Sequence, residues 1–431
     1  MKQGRWHNFI FVNVYWFGLA YLWNGLGRQA LQARIAAIVP LGVQGTAFGA
    51  LTALGLIIAV VVQPVAGALS YRSTSRWGRR RPYLLVGTLL DLLCLAGLAL
   101  APNYWLLFLS YQFLQIASNV AHGAYQGLIP DLVPPERWGA AAGVKQVIEI
   151  GGLIITTLVT GSLLAARQFP LAVGWMGVVL LVTMLLNVWT VRETPAAPAK
   201  DVQPWMATVL QTFAVDVRRY PDYFWLLVAR LCTLVGVNLI SNFAQLFIQN
   251  VIYAGRVDAD VLAAANTRDL LALIAIAIFV LSYPTGRLSD RIGRKPLVAL
   301  AGLFGILSGL LLSIARGQTF FQIGSYAVTD LLAYGSFGGL AVGFFLTANW
   351  AWATDLVPTE EAGRYLGISN LATAGAGVLS NGLGGPLVDV VNRIQFGWGY
   401  RALFAAAAVF FALGWVLLVK VRETAGPRRK G

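Results

Sequence analysis

Gly286-Arg287-Leu288-Ser289 opens a basic loop, and Gly67-Ala68-Leu69-Ser70 opens another one 219 positions earlier. Two further segments repeat in the same order. Asp131-Leu132-Val133-Pro134-Pro135-Glu136 matches Asp355-Leu356-Val357-Pro358-Thr359-Glu360 at offset 224, and Val191-Arg192-Glu193-Thr194 matches Val421-Arg422-Glu423-Thr424 at offset 230. Each landmark follows the second, fourth or sixth apolar span of its half. One match is within chance; three in the same order mark a duplicated half.

The apolar spans around these landmarks define the class. The chain has 431 residues, of which 58% are hydrophobic and 12% charged, against about a quarter charged in soluble domains. Runs such as 83–101, 170–191, 296–315 and 402–419 approach the ~20 residues that a bilayer requires. Backbone in lipid must satisfy itself, so each run is expected to be helical. Twelve spans are read near 8–38, 42–70, 83–101, 104–128, 139–165, 170–191, 223–251, 268–288, 296–315, 326–353, 364–388 and 399–420. The expected fold is an all-α integral membrane protein of two pseudo-symmetric six-helix bundles: 1–192, then a linker 193–222, then 223–431. Parallel repeats of this kind describe a transporter architecture with its site near the bilayer midplane.

With these spans, 22 of the 32 Lys and Arg residues fall in loops and termini on one side. Arg167, Arg256, Arg268, Arg316, Arg393 and Arg401 fall on the other. The positive-inside rule then places both termini in the cytoplasm of a bacterial inner membrane. The net charge of +14 is thus a topology signal rather than a nucleic-acid footprint. Basic residues precede the first apolar run, as in a signal peptide, but the run is long and is read as an uncleaved first helix. Cys94 and Cys232 fall inside spans and read as small apolar side chains. The linker carries Pro195, Pro198 and Pro204, then Trp205, Met206, Val209, Leu210 and Phe213 at helical spacing. That pattern suggests an amphipathic helix on the membrane surface.

Gly286-Arg287-Leu288-Ser289-Asp290-Arg291-Ile292-Gly293-Arg294-Lys295 resembles the cytoplasmic loop motif of the major facilitator superfamily. The first-half version, Gly67 to Pro82, is longer. Its inserted form, with Ser118-Asn119-Val120-Ala121-His122-Gly123-Ala124-Tyr125-Gln126-Gly127, resembles the sucrose-transporter and glycoside-pentoside-hexuronide cation symporter branch. The resemblance implies a secondary transporter working by alternating access. It also implies that the motif's acidic residue helps latch a gate. Asp290 keeps that acid, whereas Tyr71 replaces it in the first half, so that latch is either weakened or rebuilt. Plant sucrose transporters carry an Asp in the fourth helix tied to proton coupling. The matching position is Asn119, which cannot titrate, so proton coupling does not carry over through it.

Ionisable groups inside a span are costly and normally face a cavity or a partner. Lys145 and Glu149 lie one turn apart on the fifth span. They form either a structural pair or a titrating pair, and Lys145 is near enough to the helix end to snorkel. Glu149 is the first choice for a proton site. In the first span Arg28 and Gln32, with Gln29, share a face. They line a wet cavity, or the helix ends early and they lie outside. Gly25-Leu26-Gly27-Arg28-Gln29-Ala30 fits a dinucleotide fingerprint only formally, since no strand precedes it. The fourth span bears a polar stripe of Gln112, Gln115, Asn119, His122 and Gln126. His122 is a second proton candidate, with a hydrogen-bonded structural role as its alternative. The seventh span offers Arg230, Asn238, Asn242 and Gln245, and the tenth Asn349 and Trp350. Trp350 either stacks on a sugar ring or anchors at the interface. The eleventh adds Asn370 and Asn381. For gating, the candidates are Arg72, Asp131, Glu136, Asp290, Arg291, Arg294, Asp355 and Glu360, either as a switchable latch or as static surface pairs.

These features point to carriage of a small polar solute, a sugar or glycoside, with a proton or sodium ion as candidate coupling ion. The partners expected are that solute and lipid, without nucleic acid, metal or cofactor, and the chain is read as a monomer. Export of amphipathic compounds is the alternative. A receptor or membrane enzyme is the third class. No HExxH or GxSxG motif occurs to support the enzyme.

Overall fold

The computed structural model describes residues 6–71, 73–134, 137–191, 193, 219–324, 326–356 and 362–422. Among the described residues, twelve long helices carry the fold. The first half holds α1 (6–38), α2 (Gln44–Tyr71), α3 (Arg81–Leu100), α4 (Tyr104–Tyr125), α5 (Trp138–Ala165) and α6 (Phe169–Thr190). The second holds α7 (221–252), α8 (Ala259–Ile292), α9 (Lys295–Ile314), α10 (Asp330–Asp355), α11 (Ala362–Ile394) and α12 (Trp398–Leu417). Ten of the described helices are long and apolar enough to cross a membrane by that measure alone, and α4 and α11 fall outside it. The exposed side chains agree with lipid contact. Leu93 is 70% exposed, Trp105 70% and Trp189 82%. Large apolar side chains standing out from apolar helices suit a lipid-facing exterior.

The same neighbours recur in both halves. In the first, α1 packs on α5 and α6, and α3 on α4 and α6. In the second, α7 packs on α11 and α12, and α9 on α10 and α12. The repeat in sequence is therefore a repeat in packing. Glycine permits the tightest of these approaches. A Cβ at Gly123 of α4 would collide with the carbonyl of Gln63 in α2.

The chain divides into two compact units. One comprises Met1–Val39 and Leu54–Val209, the other Pro40–Ala53 and Leu210–Gly431. The start of α2 thus groups with the second unit. Its physical basis is a cap. The Asp389 carboxylate of α11 accepts from the amides of Gly45 at 3.1 Å and Thr46 at 2.6 Å, two N–H groups without partners inside α2. Gln44 accepts from Asn250 at 2.7 Å beside them.

Departures from the expected spans are local. Helix α8 begins at Ala259 rather than near 268, because Ala263 and Ala264 are buried and support an earlier start. Arg268 therefore lies inside α8, paired with Asp269 at 2.7 Å, and not in a loop. Helix α11 runs six residues further, to Ile394. A hairpin of β1 (Thr319–Ile323) and β2 (Tyr326–Thr329) joins α9 to α10, the one β-structure among the described residues. The linker segment read as an amphipathic helix lies outside the described residues.

Candidate functional site

The two basic loops are built alike at atomic level. Arg80 directs Nε to Asp131 Oδ2 at 3.0 Å and Nη1 to Ser70 Oγ at 2.6 Å and the Gly67 carbonyl at 3.1 Å. Arg294 directs Nε to Asp355 Oδ2 at 3.1 Å and Nη1 to Ser289 Oγ at 2.6 Å and Asp290 Oδ1 at 2.5 Å. Partial burial opposes the charge on Arg294, but its bonds with Asp290 and Asp355 prevail and hold its pKa above the ordinary value. The next residue in each loop reaches a backbone carbonyl: Arg81 bonds Val191, and Lys295 bonds Val421 at 2.7 Å.

The Tyr71 departure is resolved here. Where the second half has Asp290 against Arg294, the Tyr71 ring lies 4.5 Å from the Arg79 guanidinium and 5.4 Å from that of Arg80. An aromatic face replaces the carboxylate as the cation's partner. Glu193 adds a clamp by accepting from the amides of Arg80 at 2.7 Å and Arg81 at 3.0 Å. Of the gating candidates, Asp131, Asp290, Arg294 and Asp355 thus lie in two networks. Arg291 is exposed at the end of α8. Arg72, Glu136 and Glu360 lie outside the described residues. Arg80 was overlooked, although its place before the third helix, like that of Arg294 before the ninth, was visible in the repeat.

A polar cluster occupies the first half. Lys145 Nζ stands 3.5 Å from Glu149 Oε1, both side chains about one-third exposed. Lys145 also sits 3.8 Å from the centre of the Trp16 ring. Trp16 meets His122 edge-on at 5.0 Å and Tyr125 at 5.3 Å. His122 Nε2 is 3.0 Å from Gln126 Nε2. Helices α1, α4 and α5 therefore bring together a cation, an anion, an imidazole and a large aromatic face. Trp16 is buried with Lys145 over its face, so the partly exposed Lys145–Glu149 pair is what can hydrogen-bond a hydroxyl or exchange a proton.

Two further members of the α4 stripe, Gln115 and Asn119, are bonded within the helix. Gln115 donates to the Tyr111 hydroxyl at 2.8 Å, and Asn119 donates to the Gln115 carbonyl at 2.8 Å. Helix α1 does not end early: it passes through Leu26–Ala30 as a π turn carrying Arg28, then continues to Ile38. Gln32 donates to the Arg28 carbonyl at 2.7 Å and is fully buried. A second π turn, Ile248–Ile252, occupies the corresponding part of α7. Such turns are frequent at functional positions, and nothing in residue pattern announced them.

In the second half Arg230 of α7 is buried, with Nη1 bonded to Asn349 Oδ1 at 2.6 Å and Nη2 to Thr373 Oγ1 at 3.2 Å. Its guanidinium is 5.8 Å from the Trp350 ring and 6.0 Å from Phe345. Asn242 donates to Asn381 at 2.9 Å, Gln245 is buried and Asn238 half-buried.

Sequence reading passed over Asp91. It is fully buried in α3, and neither carboxylate oxygen has a hydrogen-bond partner among the described residues. Its signal was a single acid within Leu89-Leu90-Asp91-Leu92-Leu93.

The multidrug resistance protein MdtH of Proteus mirabilis is 23% identical over 350 residues, covering 80% of each chain. The sucrose transport protein SUT1 of Oryza sativa subsp. japonica is 57% identical over 42 residues, which is 10% of this chain and 7% of that one. The solved nucleoside transporter NupG superposes with a TM-score of 0.73 at 16% identity, covering 96% of this chain and 99% of the other. The Major Facilitator Superfamily model matches residues 8–265 and again 259–431. This multi-pass membrane protein, a transporter and not an enzyme, belongs to the Major Facilitator Superfamily.

Proposed function

We propose that the protein is a secondary transporter that moves a small polar solute, a sugar or glycoside, by alternating access with proton coupling. The observation that carries this reading is the Lys145–Glu149 pair, half-buried in a membrane bundle under the face of Trp16. Charged groups inside membrane helices are costly and rare, and where they occur they tend to mark solute or ion paths. Lys145 and Glu149, each partly exposed, offer hydrogen bonds to the hydroxyls of a sugar. The short, close match to a sucrose transport protein supports the sugar-transporter branch.

In this reading Glu149 takes up the coupling proton, with His122 as the second candidate. Arg28, Gln32, Gln115, Asn119, Gln126 and Lys145 serve the solute from the first half, and Asn238, Asn242, Gln245, Asn349 and Trp350 from the second. The networks of Arg80 and Arg294 act in gating. The protein works as a monomer in a bacterial inner membrane with both termini in the cytoplasm.

Uptake of labelled sugars and glycosides into proteoliposomes, with and without an imposed proton gradient, tests the reading. Gradient-driven accumulation of at least one of them is expected. Flux of none of them refutes it.

Export of amphipathic compounds is a second reading, favoured by the likeness to MdtH across 80% of the chain. Proton-driven efflux of ethidium from the same vesicles, with no sugar accumulation, would establish it instead.

A further inference from the structure

Arg230 brings a permanent positive charge into the interior of the second unit, in the tenth position of α7. Only 6% of the residue is exposed. An ionised group in that setting normally has a counter-charge, because its desolvation is otherwise uncompensated. Among the described residues no carboxylate pairs with it. Its contacts are neutral: the Asn349 oxygen, the Thr373 hydroxyl and the two aromatic rings.

Two donors in this cluster remain unspent. Arg230 Nε is buried without a partner, and so is Asn349 Nδ2. The orientation of the Asn349 amide is fixed by chemistry, since only its oxygen can accept from the guanidinium. Its NH2 group must therefore seek an acceptor elsewhere. The two unspent donors sit on side chains already bonded to each other. A negatively charged acceptor at either donor would also neutralise the guanidinium. Oxyanions match the planar donor fork of arginine best. Thr373 and Trp350, which flank the cation, are both exposed.

We infer that Arg230 and Asn349 form a binding site for an oxyanion, the carboxylate or phosphate group of a solute, with Thr373 as its rim. The inference deepens the transporter reading and rests on it for the anion's being part of the cargo. Binding itself needs no transport, so the two can fail separately.

Thermal unfolding of the purified full chain is measured against gluconate, methyl phosphate and the neutral control sorbitol at constant ionic strength. A saturable rise of the midpoint with gluconate or methyl phosphate is expected, at least tenfold weaker in apparent affinity in Arg230→Gln. Which of the two acts separates carboxylate from phosphate. An unchanged response in Arg230→Gln, or no saturable response to either anion in the native protein, overturns the inference. Asn349→Asp guards against a misfolded first variant. It places a carboxylate against the guanidinium and is expected to raise the midpoint and abolish the anion response. A persisting response there also overturns the inference. Anion binding without flux in proteoliposomes would retain the site and discard the transporter reading.

Discussion

Arg80 donates from Nε to Asp131 Oδ2 across 3.0 Å, tying the end of the first basic loop to the short turn after α4. Arg294 and Asp355 repeat the relationship at 3.1 Å. The equivalence is geometric, but the settings differ. The Arg80 side chain is 7% exposed and Asp131 30%, whereas Arg294 is 21% and Asp355 35%.

Asp131→Asn is therefore expected to cost more than Asp355→Asn. Removing one partner of a largely buried pair strands the other charge, which costs about 2 kcal/mol or more even with one side partly wet. The more exposed pair is worth under about 1 kcal/mol. Thermal unfolding of the two variants in detergent checks the order. Equal losses would show that exposure does not set the strength of these latches.

Tyr71→Leu should remove the aromatic face that holds Arg79. An exposed cation–π contact contributes about 0.5–1 kcal/mol, so the unfolding midpoint should fall slightly. Tyr71→Asp should restore a carboxylate like that of Asp290 and match or exceed native stability. A large loss in Tyr71→Asp would mean that the first loop is shaped around the ring.

Asp91→Leu should stabilise the protein. Neither oxygen of Asp91 accepts a hydrogen bond among the described residues, and a buried polar group without partners costs roughly 1–3 kcal/mol. A rise of the unfolding midpoint in Asp91→Leu is the expected outcome. A fall of similar size would reveal a partner for the carboxylate.

Much of this was legible in residue order. Apolar runs and the loop repeats gave the twelve helices, because lipid permits little besides a helix and duplication preserves loop chemistry. The boundary of α8 was misjudged because Asn266, Arg268 and Asp269 lower local hydropathy although the helix continues through them. Asn266 reaches the Tyr253 hydroxyl at 3.1 Å, and Arg268 pairs with Asp269. Asp91 escaped notice because four leucines outweigh one acid in any windowed reading. The contact of Trp16 with Lys145 joins residues 129 positions apart in the sequence and only packing of α1 on α5 reveals it. The π turns at Leu26–Ala30 and Ile248–Ile252 are backbone adjustments with no residue signature.

Gly123→Val should be severely disruptive. Its added side chain would meet the Gln63 backbone of α2, which has no free rotamer through which to retreat. Overpacking of this kind costs about 1–3 kcal/mol or more. Reduced abundance in the membrane is the expected readout, and native abundance would show that α2 can move away from α4.

Glu149 offers the most direct test. Concentrative uptake and solute counterflow can be measured on the same proteoliposomes for the native protein and Glu149→Gln. If Glu149 carries the coupling proton, the variant exchanges solute across the membrane but no longer accumulates it when a proton gradient is imposed. Gradient-driven accumulation at the native level in Glu149→Gln would contradict the assignment.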